Sequence, residues 1–288
     1  MITAALLIAV TAVNPGDGDI VTSVHEWGVV VFEENRLPAI CGGPWDSSVE
    51  NTEYEAVAEA PVVWIYGEPF QGTFTVTPGD SETITSVYPA PDVFDGNSVQ
   101  WEVVTTTGVE ESLLYTGPYA WAMEYWEIVP SLLLYNSYSG ATVNFLYYEC
   151  TAGEEFTGNL FEWNSSGNPI FTQDLVEEAL LFTPYGVAPV AVTRDEFVLR
   201  DFPLTGETDP ELVPNTFARW VSQGLTSPEI TALWDTWKPA FTEEGSYWLV
   251  FPVPEEYNNG ISTISLETSD HREVEYERLF LGAIRLNR

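Results

Sequence analysis

The sequence predicts a mainly β protein of antiparallel, sandwich-like sheets, in one or two units, with one short helical insertion near residues 214–242. Three observations carry this. Short apolar stretches recur along the 288 residues, separated by Gly, Pro, Asp and Asn. The eleven Trp, fourteen Tyr and fifteen Phe suit pleated faces, where aromatic rings pack well. Helical periodicity, by contrast, is confined to one region. A chain of this length buries a sizeable core, as one large all-β domain or two modest ones. Its 45% hydrophobic content places it among folded globular proteins rather than disordered ones.

The chain opens on an apolar run from Met1 to Val13, followed by a turn-rich Asn14-Pro15-Gly16-Asp17-Gly18-Asp19. That is the length of a signal peptide and too short to span a bilayer, so residues 1–19 are expected to be an export signal. A basic leading region and a small-residue cleavage site are missing, and the competing reading is a buried first strand. Strands are predicted over 21–33, 61–66, 73–77, 83–88, 99–106 and 141–148. Thr73-Phe74-Thr75-Val76-Thr77 alternates as a sheet with one wet face does. Residues 160–163 and 169–172 flank Asn164-Ser165-Ser166-Gly167-Asn168, a hairpin loop. Later strands are predicted over 190–193, 247–253, 261–267 and 273–284.

In the helical region, Ser227 reads as the N-cap, Pro228 as the first helical residue and Glu229 as a first-turn acid. Ile230, Leu233, Trp234 and Trp237 then form one apolar stripe. Pro239 disturbs the end and Gly245 stops it, and a shorter helix is expected over 216–223. The change of pattern suggests an N-terminal unit over 20–148 and a C-terminal unit over 149–288.

Forty-four acidic residues face nine basic ones, a formal net charge of −35, and Lys238 is the only lysine. Such a surface repels nucleic acid and anionic lipid, which excludes binding to either through a basic patch. It attracts cations, calcium among them, and its self-repulsion calls for screening by salt. A halophilic or marine source and an ordinary acidic extracellular protein both fit. Cys41 and Cys150 suit an exported chain with one disulfide, which in the chain-entropy model is worth about 4–5 kcal/mol. Two buried thiols are the alternative. The expected location is secreted or cell-surface, with an extracellular glycan or protein as partner.

Several segments, in order, resemble an uncharacterised family of secreted bacterial proteins with an N-terminal His-Glu-Trp-Gly signature. Here the signature is His25-Glu26-Trp27-Gly28. Glu59-Ala60-Pro61-Val62 is similar to the family's Glu-Thr-Pro-Val strand. Phe145-Leu146-Tyr147-Tyr148 resembles its Phe-Leu-Phe-Tyr-Arg segment, with Glu149 in the arginine's place. Trp237 to Gly245, ending Glu243-Glu244-Gly245, looks like its Trp-rich helix exit. Arg278-Leu279-Phe280-Leu281-Gly282 is similar to its closing strand. The resemblance implies location and architecture, and brings no chemistry with it.

Chemistry has few places to sit. His25 and Glu26 are candidates for a metal ligand or general base with an assisting carboxylate. Neighbours on a strand point to opposite faces, however, so the competing reading has His25 bonded to nearby backbone. Glu243 and Glu244 are candidate calcium ligands or an acid–base pair. The alternative there is a salt bridge from Arg278 that joins the helix exit to the last strand. Asp92 and Asp95, like Asp17 and Asp19, suit either oxygen-rich calcium loops or Asx turns. The cluster Tyr115, Tyr119, Trp121, Tyr125 and Trp126 suits sugar stacking or a core. His271 follows Ser269-Asp270 in an expected exposed turn. The sequence has no G-x-S-x-G elbow, phosphate loop, dinucleotide fingerprint or H-E-x-x-H. The expectation is a non-catalytic binding or structural role. An extracellular hydrolase using His25 with Glu26, Glu243 or Glu244 is the competing class.

Overall fold

In the computed structural model, residues 21–32, 56–79, 83–95, 97–107, 120–136, 140, 142–152, 158–199, 210–220 and 224–286 are described. The expectations for residues 1–19, Cys41, Tyr115 and Tyr119, and for the side chain of Trp121, lie outside them.

The protein is mostly β, and its centre is an eight-stranded sheet. From one edge it runs β13 (Gly186–Val192), β12 (Val176–Thr183), β14 (Trp248–Pro252), β16 (Val274–Arg285) and β1 (Thr22–Phe32). It continues through β2 (Ala56–Tyr66) and β9 (Leu146–Ala152) to β4 (Ile84–Tyr88). A second sheet runs β15 (Ser262–Thr268), β3 (Gln71–Pro78), β6 (Val99–Thr106), β7 (Leu133–Asn136), β8 (Thr142–Val143), with β5 (Val93–Phe94) beside β6. A hairpin of β10 (Phe161–Trp163) and β11 (Pro169–Phe171) stands apart. The helices are α1 (Ala120–Trp126), α2 (Leu212–Trp220), α3 (Ser227–Phe241) and the one-turn α4 (Asn258–Ile261).

Alternation along the central strands sorts these elements into three layers. From β1, Val24, Val30 and Phe32 pack with Phe74, Val76 and Trp101 of the second sheet. Trp27, Val29 and Val31, one residue out of phase, pack with Trp126, Leu233 and Trp237 of the helices. The large sheet is therefore the middle layer, covered on both faces. That is why β14 and the second half of β16, Leu279 to Ile284, read as unbroken apolar runs rather than as alternating ones. Burying both faces of such a sheet is the main stabilising term, at about 25 cal/mol per Å² of apolar area.

Most pairings are antiparallel, as expected. The exception is β1 with β16, which run parallel, Glu26 opposite Arg278 and Gly28 opposite Phe280. A Cβ on Gly28 would lie 2.7 Å from the Phe280 ring, so the signature's glycine is the gap into which that ring fits. Gly282 makes the same room for Phe251, 2.5 Å from where its Cβ would be.

Several elements depart from expectation: β5, β7 and α4 fall where no element is predicted, and the strand expected over 141–148 is divided between β8 and β9, in different sheets. No strand is predicted at β12 because Glu177-Glu178-Ala179-Leu180 has helix-favouring composition, and its pairing between β13 and β14 makes it a strand. α1 went unpredicted because seven residues are too few for a periodic stripe. The shorter helix over 216–223 is α2, set four residues earlier at its start. The large sheet takes strands from both sides of residue 148, and β9 runs across that position.

Candidate functional site

The signature strand positions two polar side chains, one in each interface. His25 faces the helices and Glu26 the second sheet, as a period of two requires. Neither stands alone, and their partners differ from those expected.

His25, 8% exposed, holds Nδ1 3.1 and 3.2 Å from the two carboxylate oxygens of Glu229, which is fully buried. Two facing carboxylate oxygens require the proton on Nδ1. The Tyr66 hydroxyl donates to Glu229 Oε1 at 2.8 Å, and its ring lies 4.5 Å from the imidazole. The backbone N–H of Thr226 donates to Glu229 Oε2. Glu229 thus sits at N3 of α3, reaching back to the N-cap as in a capping box, and the cap is Thr226, one residue before the expected Ser227. One carboxylate anchors the helix's first turn to β1 and β2. Burial, with the neighbouring Glu229 charge, pushes the Tyr66 phenol far above its ordinary pKa, so it remains a donor. The expectation of a backbone partner for His25 is corrected accordingly.

Glu26, also fully buried, accepts from Arg278 Nε at 2.5 Å and from the Tyr148 hydroxyl at 2.6 Å. Ser262 Oγ lies 2.6 Å from that hydroxyl and accepts from Arg278 Nη2 at 2.9 Å. Arg278 Nη1 donates to the Ser262 carbonyl at 2.9 Å and to Asn259 Oδ1 at 3.2 Å. Burial works against the guanidinium charge, but Glu26 and Tyr148 outweigh it and hold the pKa above its usual value. Burial beside Glu26 pushes the Tyr148 phenol up as well. The network ties β1 and β16 to β15, the edge strand of the other sheet. Tyr276 completes the seam by accepting the Leu266 N–H at 2.8 Å.

The salt bridge of Arg278 is therefore made to Glu26, not to the helix exit. Glu243 and Glu244 are exposed there, and Glu243 Oε2 lies 3.4 Å from Arg285 instead. Asp92 accepts from the Glu102 N–H at 2.7 Å and from Asn136 Nδ2 at 2.6 Å. Asp95 caps its own turn: the backbone N–H groups of Asn97 and Ser98, at 2.9 and 2.8 Å, hold its carboxyl below the usual range. Among the described residues, no three His, Cys, Asp or Glu side chains gather closely enough to hold a metal ion. Trp126 is fully buried against Trp27 and Tyr147, a core role rather than a sugar platform. Buried Cys150 has its Sγ 3.6 Å from the Ile261 carbonyl, and its expected partner Cys41 lies outside the described residues. His271 occupies an exposed turn with φ 56°.

Sequence reasoning missed Glu229, Tyr66, Tyr148 and Ser262. The spacing Thr226-x-x-Glu229 was a readable sign for the first. The others depend on strand register, which leaves no local sign. Four of the segments that carry the resemblance fall on β16, β1, β2 and β9, consecutive strands at the middle of the large sheet. Compared with known proteins, the chain matches no family model, no curated protein and no solved structure.

Proposed function

We propose that the chain is a secreted or cell-surface acidic β protein with a non-catalytic binding or structural role. The observation that carries this is the separation of His25 from Glu26. Each is buried in a different interface, His25 hydrogen-bonded to Glu229 beside Tyr66 and Glu26 ion-paired with Arg278 beside Tyr148. A site for acid–base chemistry needs its groups within reach of one substrate atom, and these two point away from each other across a sheet. The residues of the signature act as struts between layers. The location rests on the acidic composition and on the likeness to secreted proteins, and the acidic surface favours a cationic partner.

One observation favours the hydrolase reading. A carboxylate holds His25 Nδ1, which would leave Nε2 as a base, with Glu229 in the orienting role rather than Glu26, Glu243 or Glu244. The two readings separate in one experiment. The purified chain and His25→Gln are assayed on ester, peptide and glycoside substrates, with thermal unfolding in parallel. The non-catalytic reading expects a lowered Tm for the variant and no turnover that depends on His25. Turnover by the parent chain that the variant loses overturns it.

A further inference from the structure

We propose that the eight-stranded sheet contains a slot, one strand wide, that takes an extended basic peptide segment of another protein. The proposal rests on the binding reading above and names its site and partner class.

The slot follows from where β14 ends. Pro252 and Pro254 have no N–H to give a ladder, so the strand cannot continue between its neighbours. The last bond on that side runs from the Val253 N–H to the Phe280 carbonyl, 2.8 Å. The chain then turns away through a 3-10 turn at Glu255–Tyr257 and α4. On one flank β16 runs on to Val274, and on the other β12 begins at Val176. On either side of β14 these two strands are two sheet spacings apart, about 9.6 Å. With Leu180 opposite Val250, β12 begins level with the end of β14, so β16 walls the slot along its length and β12 walls its mouth. Between them lies a cavity of about 570 Å³, lined among others by Leu175, Val176, Trp220, Asn258, Tyr276 and Glu277. That volume is in the range of ligand sites, roughly 300–1,000 Å³.

The backbone of β16 shows what fits. Along an extended strand, alternate residues turn their N–H and C=O to the same side. Glu273 accepts from Thr22 of β1, whereas Phe280 accepts from Val253 on the other side. Tyr276 and Arg278 share the direction of Phe280, so their N–H and C=O groups face the slot. Such groups at strand period suit an added strand, the mode in which main-chain bonds give affinity and side-chain pockets give specificity.

Charge selects the peptide. Glu255 and Glu277 line the slot. Among the described residues its one cation is Arg278, whose guanidinium is committed to Glu26, Ser262 and Asn259. The indole N–H of Trp220 and Oδ1 of Asn258, both on lining residues, are buried with no hydrogen-bond partner among the described residues. Trp220 and Tyr276 offer aromatic faces to a lysine or arginine stem.

Fluorescence anisotropy with a labelled, end-capped peptide of alternating lysine and valine tests this on the purified chain. Binding is expected, and it should weaken about tenfold in the double variant Glu255→Gln/Glu277→Gln with Tm little changed. It should weaken about tenfold again for the same peptide N-methylated at alternate residues, which keeps its charge but loses main-chain bonds. Equal affinity for both peptides means attraction to an acidic surface alone, and that result, or no binding, overturns the slot while leaving the non-catalytic reading standing. Cleavage of the peptide that His25→Gln abolishes overturns both.

Discussion

At the scale of single residues, two carboxylates decide how the layers hold together. Glu26 and Glu229 are fully buried, and each accepts from one cation or imidazole and from one tyrosine. A buried ion pair is weak evidence for net stability, because desolvation offsets much of the attraction. Breaking it from one side is another matter. Arg278→Met leaves Glu26 charged in the interior and is expected to cost about 3–5 kcal/mol in urea unfolding. The double variant Glu26→Gln/Arg278→Met removes both charges and is expected to recover much of that loss. A double variant as unstable as the sum of the singles would show that the pair is not coupled. His25 was visible in the sequence as a rare residue, and its face was readable from strand alternation. Its partner was not, since Glu229 lies 204 positions away.

At the scale of elements, α3 shows how a local signal acquires a tertiary function. Its capping pattern and apolar stripe are legible in sequence, and Ile230, Leu233 and Trp237 are buried as that stripe requires. What no periodicity reveals is that the cap's glutamate also receives the Tyr66 hydroxyl and His25. Glu229→Ala would strand one buried and two part-buried donors, at about 1–3 kcal/mol each. A loss of about 3 kcal/mol or more is expected in chemical denaturation, with faster amide exchange in the first turn of α3. Glu244→Ala, at the exposed exit of the same helix, should stay within about 0.5 kcal/mol. Equal effects at the two ends would remove the anchoring role of Glu229.

At the scale of the whole molecule, charge is the dominant unbalanced term. A net −35 repels itself, and the described residues supply no metal cluster to neutralise it locally. The Tm is therefore expected to rise smoothly with sodium chloride, because a Debye length of about 10 Å at 0.1 M shortens to about 3 Å at 1 M. Calcium at matched ionic strength should add little. A calcium-specific jump reversed by EDTA would reveal a bound-ion site instead.

The sequence by itself determined the class. Spaced apolar stretches with turn residues between them specify strands, a capped stripe specifies one principal helix, and the charge speaks against a basic patch for polyanions. It also determined that His25 and Glu26 serve different faces, because side chains on a strand alternate whatever surrounds it. Tertiary structure decided the rest. It set the parallel pairing of β1 with β16, the partners of both signature residues, and the slot left where β14 stops short of its neighbours. These depend on which strands become adjacent, and adjacency is chosen by burying both faces of the central sheet at once, a non-local sum that no short window of sequence contains.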